Sequence, residues 1–175
     1  MRKYGLITAF SLFVLTACVY DAPLVGEASL PIDQALLGTW ESIPEGTDSV
    51  ARIVVRQDSA NQYEIEYGEG ESIFYFKCWL AELEGIRFMQ LELIGDDERP
   101  VEAGDTDLFS VASYALNDGE LVVRMLNSDV IKGDLADTAA LQEAFAANRD
   151  NPDLFEEPGQ FRKLPEDPGN FVKKW

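Results

Sequence analysis

The sequence predicts a mainly β fold, an antiparallel barrel or sandwich of about seven to eight strands with one helix near the C-terminus. Three observations carry that prediction. Short runs with alternating apolar and polar residues follow one another between turn signals from Gly38 to Leu126. Asn117-Asp118-Gly119 joins two of them with residues that tolerate the positive φ of a tight hairpin. After Ser128 the period changes, and Leu141 and Phe145 fall four apart, as on one face of a helix.

Taken in order, Ile32 to Leu37 reads as a short helical turn leading into the first strand, which starts at Gly38-Thr39-Trp40-Glu41. Arg52 to Arg56 is the second strand, and Asp58 to Asn61 supplies the turn after it. In the third, Gln62 to Tyr67, the residues Tyr63, Ile65 and Tyr67 are expected to face inward and Glu64 and Glu66 to face water, since successive strand side chains point to opposite faces. Gly68 to Gly70 marks the next turn. Ser72 to Leu83 is apolar on both faces, with Phe74, Phe76, Cys78 and Leu80 opposing Ile73, Tyr75 and Trp79, so it reads as a central strand covered on both sides. Glu84-Gly85 turns it into Ile86 to Ile94, and residues 95–107 form an acidic loop. Leu108 to Leu116 and Glu120 to Leu126 pair across the Asn-Asp-Gly turn. A short turn at Asp129 to Lys132 precedes a helix from about Thr138 to Asn148, capped by Thr138 and barred from continuing by Pro152. Asp153-Leu154-Phe155 adds a turn, Gln160 to Leu164 is the last strand, and Pro165, Pro168 and Gly169 mark a tail.

The N-terminus carries a different signal. Met1, Arg2 and Lys3 precede an uncharged run from Tyr4 to Ala17, the pattern of a secretory leader and too short for the about 20 residues of a bilayer-spanning helix. Leu15-Thr16-Ala17-Cys18 resembles the lipobox of bacterial lipoproteins at all four positions. That resemblance implies cleavage after Ala17, diacylglycerol on the Cys18 thiol and an acylated amino group, which anchors the protein to a membrane through acyl chains; two or more chains hold stably where one does not. In that family Asp after the Cys favours retention in the inner membrane. Val19 stands there, which favours the outer membrane, facing the periplasm.

The expected organisation is a leader at 1–17, a lipidated tether at 18–31, a β-rich domain at 32–164 and a tail at 165–175. Pro23, Gly26 and Pro31 interrupt the tether, whose flexible reach would be about 20 Å and would let the domain float free of the bilayer. The chain has 175 residues and a net charge of -18, which loss of Arg2 and Lys3 takes to -20. That excess argues against nucleic acid, which is bound by neutralising phosphates with Lys and Arg, and suits a cationic protein partner or simple solubility. Of the two Cys, only Cys78 remains once Cys18 is lipidated, so no internal disulfide is expected. Its apolar run points to burial as a small hydrophobe. The alternative, a reactive thiol, has only Lys77 nearby to lower its pKa.

Leu37-Gly38-Thr39-Trp40 resembles the Gly-x-Trp signature that opens the first strand of lipocalins, where the Trp closes the barrel floor. Thr106-Asp107 sits before a strand as their Thr-Asp pair does, and the resemblance implies that Arg162 packs across Trp40. Leu108 stands where they have Tyr, and here the helix precedes the last strand instead of following it.

With no His in the chain, Ser-His-Asp and Cys-His nucleophiles and imidazole metal sites are excluded. No Gly-x-Ser-x-Gly or phosphate loop occurs, and Gly68-Glu69-Gly70-Glu71 lacks the third Gly of a dinucleotide loop. Asp96-Asp97-Glu98, with Asp105 and Asp107, lacks the spacing of a calcium loop. No catalytic, cofactor-binding or metal residue is therefore expected, and the protein reads as non-enzymatic. Tyr63, Tyr67, Phe74, Phe76 and Trp79 are the residues able to line an apolar cavity for a small ligand or lipid, or to fill the core. The alternative function is a protein-interaction module, an envelope assembly factor or an inhibitor of a cationic enzyme. Phe171 to Trp175, aromatic with two Lys, reads as a docking peptide or a frayed terminus.

Overall fold

Eight antiparallel strands close into a barrel in chain order: β1 (Gly38–Ser42), β2 (Ala51–Gln57), β3 (Tyr63–Glu69), β4 (Ser72–Leu83), β5 (Ile86–Asp96), β6 (Phe109–Asn117), β7 (Glu120–Met125) and β8 (Gly159–Lys163). A 3₁₀ turn at Gln34–Leu36 precedes β1, and the one helix, α1 (Thr138–Ala147), lies between β7 and β8. The architecture is that of a lipocalin-like barrel. The computed structural model describes residues 19–43, 49–135 and 137–165. The expected leader, the Leu15 to Cys18 motif and the tail peptide Phe171 to Trp175 lie outside the described residues.

Strand alternation separates the molecule into an inside and an outside. Trp40, Ile53, Val55, Tyr63, Ile65, Tyr67, Phe76, Cys78, Leu80, Leu91, Leu121 and Phe161 fill the interior as one apolar cluster. A second cluster lies on the outer wall, where Leu141 and Phe145 of α1 pack with Tyr20 and Leu24 against Ala81 of β4, Phe88 of β5 and Val111 of β6. The Phe88 and Phe145 rings meet at 5.8 Å. This explains why the fourth run is apolar on both faces: one lines the barrel and the other carries cover.

The barrel has two unlike ends. At the base lie the starts of β1, β3, β5 and β7 and the tight turns Glu84-Gly85 and Asp118-Gly119, where Glu84 (φ 53) and Asp118 (φ 50) adopt left-handed backbone beside glycine. At the rim lie the ends of β1, β3, β5 and β7 and the starts of β2, β4, β6 and β8. The base is plugged by the 3₁₀ turn, whose Leu36 carbonyl accepts a 2.9 Å bond from Trp40 Nε1.

Four expectations are corrected. Residues 19–31 are no free tether: they form a strap down the outer wall from rim to base. Tyr20 bridges Phe109, the Leu24 and Val25 amides bond Gln90, and the Ser29 and Leu30 amides bond the Leu80 carbonyl. The apolar residues Tyr20 and Leu24 supply the reason, since both are buried between wall and helix. Glu66 does not face water. It points outward but is only 3% exposed, set between Val54 and Tyr75 of the adjoining strands and 3.4 Å from Arg56 Nη1. Asp137, not Thr138, caps α1 by accepting from the Ala140 amide at 2.9 Å; the Thr138 hydroxyl instead donates to the Pro23 carbonyl and ties the helix to the strap.

The fourth correction concerns the cation beside Trp40. Strand register pairs Trp40 with Lys163 and Glu41 with Arg162. Arg162 therefore points outward, where its Nη2 donates to Glu41 at 2.7 Å, and Lys163 Nζ lies 5.1 Å from the Trp40 ring centroid. Lys163 reaches the Ala35 carbonyl at 3.0 Å by crossing Gly38, where a Cβ would stand 3.1 Å from its Cε. Gly38 also holds φ +120. Both its backbone angle and the lysine's path require the missing side chain.

Two buried tyrosines give the fold an alkaline limit. Tyr20 donates to the Ile131 carbonyl, and Tyr63 bridges the amide and carbonyl of Asp33; burial pushes both phenols up to about 12. Unfolded tyrosine ionises near 10. The stabilisation is thus complete below about pH 10 and is lost as the pH rises towards 12. Near-UV circular dichroism and tyrosinate absorbance should change together across that window; tyrosinate appearing near pH 10 with an intact near-UV spectrum would contradict it.

Candidate functional site

The residues expected to line a cavity separate into three groups. Tyr63, Tyr67 and Phe76 point into the barrel and are closely packed there. Phe74, paired with Tyr67, is half-buried near the rim. Trp79 points to the outer face, opposite Gln90, and lines no interior space. Glu69, next along the inner face, accepts from the Tyr67 hydroxyl at 2.7 Å and from Ser49 and so closes part of the mouth. Cys78 lies among the interior residues, with its thiol pKa pushed up by burial, which suits packing and not nucleophilic chemistry.

Open space lies at the rim. Ile94 is an extra residue between the pairs Phe76–Leu93 and Tyr75–Gly95, a bulge near the end of β5. Beyond it the chain turns at Asp96 to Arg99, and Pro100 returns to bridge Gly95. Between this turn and the strand entering β6 is a cleft of about 270 Å³ lined by Leu93, Val101 and Leu108 with Asp96, Arg99, Asp105 and Thr106. Leu93 also packs on the interior cluster, so cleft and barrel interior share a wall.

The polar side of the cleft is internally matched. Arg99 donates to both oxygens of Asp105, at 2.8 and 3.5 Å, which holds the Asp105 carboxyl below its usual pKa. Asp105 also accepts from the Glu102 amide, and Asp96 from the amides of Glu98 and Arg99. The acidic loop thus spends these oxygens on its own backbone and on Arg99. Among the described residues no group of three or more Cys, Asp or Glu is placed to share a metal ion. What the cleft offers a ligand is a mainly polar surface with three apolar side chains in it, and its volume is slightly smaller than the about 300 to 1,000 Å³ of most small-molecule sites.

No family model matches the chain, and no curated protein or solved structure does. The site therefore rests on geometry. One of its features had no clear sequence signal, the Arg99–Asp105 clamp within a loop read only as acidic; away from the cleft, neither did Gln90, an outward strand residue that proves fully buried under the strap. An Arg set among six acidic residues from Asp96 to Asp107 was the available hint for the clamp.

Proposed function

We propose that this is a non-enzymatic, lipid-anchored envelope protein, held in the membrane through acyl chains on Cys18 and facing the periplasm, whose barrel takes up a small apolar molecule or lipid at the rim. The observation that carries the reading is the cleft beside β5, where Leu93, Val101 and Leu108 set apolar side chains among polar ones and Leu93 also packs against the interior cluster. The lipobox supports the anchor. Among the described residues no helix is long and apolar enough to cross a membrane. Native mass compared with denatured mass of protein purified from its own membranes tests the reading. A non-covalent adduct that a Leu93→Arg variant loses is expected; a bare native mass would remove the ligand from the proposal.

One observation favours a second reading, a protein-interaction module. The interior aromatics are packed against one another, and a filled barrel does its work with its surface. A cationic partner would suit the -18 charge. Such a partner would be retained from membranes at low salt and released by about 0.5 M salt, where charges are screened beyond roughly 4 Å.

A further inference from the structure

We infer that the rim of the barrel is its membrane face, laid against a zwitterionic, amine-bearing headgroup surface. The inference rests on the lipid anchor proposed above. Its first support is the docking of the residue next to Cys18. The Val19 amide donates to the Phe109 carbonyl at 3.2 Å, and the Phe109 amide donates to the Tyr20 carbonyl at 3.0 Å. The Tyr20 hydroxyl reaches Ile131, and the Val19 backbone lies so close on Gly133 that a Cβ there would collide with the Val19 carbonyl oxygen. Phe109 opens β6 at the rim. Val19 is thus fixed at the rim, and because consecutive Cα atoms are about 3.8 Å apart an acyl chain carried on the residue before it would start from this end of the barrel.

The second support is independent of the anchor. The exposed large apolar side chains among the described residues are Ile43 (37%) and Val50 (49%), which flank the β1–β2 connection. Ile43, just after β1, and Val50, just before β2, stand at the same rim, and β2 stands four strands from β6 in the barrel of eight. The rim therefore carries the docked Val19 on one wall and two exposed apolar side chains on the opposite one, which an anchored chain would bring to the headgroup layer together. The acidic 96–107 loop at this rim selects the headgroup: an anionic surface would repel it, and amine-bearing zwitterionic lipid would not. In this pose the cleft beside β5 opens at headgroup level, and its ligand would exchange with the bilayer directly.

The test uses the full acylated chain in phosphatidylethanolamine/phosphatidylcholine vesicles containing headgroup-nitroxide lipid. One fluorophore is placed at the rim (Ala103→Cys) or at the base (Asn61→Cys), Cys78 being buried. Rim quenching is expected to exceed base quenching several-fold. Equal quenching, or more at the base, overturns the orientation while leaving the anchor intact, because flotation of the same samples reads the anchor separately. A chain that floats no better than Cys18→Ser overturns both. Adding anionic phosphatidylglycerol should lower rim quenching, and salt should restore it; a rise instead overturns the headgroup assignment. Gly133→Leu, which displaces Val19, should still float but lose most of the contrast, and retention of the contrast would overturn the role of the docked Val19. Should that variant fail to fold, the contrast in the native frame decides.

Discussion

Replacing Trp40 by Ala is expected to destabilise the domain by about 3 to 5 kcal/mol, the cost of removing a large aromatic from a core that closes only partly over the void. Trp40 is 1% exposed and packs within the interior cluster at the base. Its loss would also leave the Leu36 carbonyl without the indole N–H and Lys163 without a ring beneath it. Trp40→Phe separates these effects: it retains most of the volume but gives up the indole donor, so a smaller loss of about 1 to 3 kcal/mol is expected. Urea unfolding followed by far-UV circular dichroism measures both, with a lower midpoint at unchanged slope as the signature. A loss below about 1 kcal/mol for Trp40→Ala would mean that the 3₁₀ turn holds the base shut without the indole.

The second large effect is expected at Gln90. This outward residue of β5 is fully buried under the strap; its Oε1 accepts from the Leu24 amide at 2.8 Å and the Val25 amide at 3.3 Å, and its Nε2 donates to the Ser110 carbonyl at 3.0 Å. Leu at this position has nearly the same volume and none of the hydrogen bonds. Buried groups that lose their partners cost about 1 to 3 kcal/mol each, so Gln90→Leu should cost about 3 kcal/mol in all. The loss should also be local. Hydrogen exchange at Leu24 and Val25 should accelerate far more than at the β2 and β3 amides, because the strap detaches before the barrel opens. Uniform acceleration across the molecule would show instead that strap and barrel unfold as one unit.

Much of the barrel was legible in the sequence because its signals are local. Tyr63, Ile65 and Tyr67 alternate, Asn117-Asp118-Gly119 turns, and the two-sided run from Ser72 to Leu83 states that both of its faces are covered. What escaped depends on neighbours distant in the chain. Whether Glu66 meets water is decided by Val54 and Tyr75 on the adjoining strands. Whether Arg162 or Lys163 meets Trp40 is a one-residue question of register between β1 and β8, and one residue changes the face. The strap misled for the same reason: Pro23, Gly26 and Pro31 exclude regular structure but do not exclude docking, and Leu24 finds its burial against α1, more than 110 residues later. At the candidate site, the acidity of the loop was visible but the cleft was not, because the bulge at Ile94 and the return of Pro100 to Gly95 beside it leave no mark in composition.

Closure of the barrel also constrains when it can form. Seven of the eight strand pairings join neighbours in the chain and are available as soon as each strand has been made. The eighth joins β1 to β8, with Arg162 reaching Glu41 across 121 residues. Contacts so distant in sequence slow folding, because a long loop must be ordered before they repay it. Until Gly159–Lys163 arrives, β1 and β7 each present a row of unpaired backbone donors and acceptors, a template for pairing with another chain. A chain halted after α1 would have all the buried residues of both apolar clusters except Leu154 and Phe161, and yet two open strands. The last short strand therefore decides whether the nearly finished chain ends as a monomeric barrel or as an aggregate.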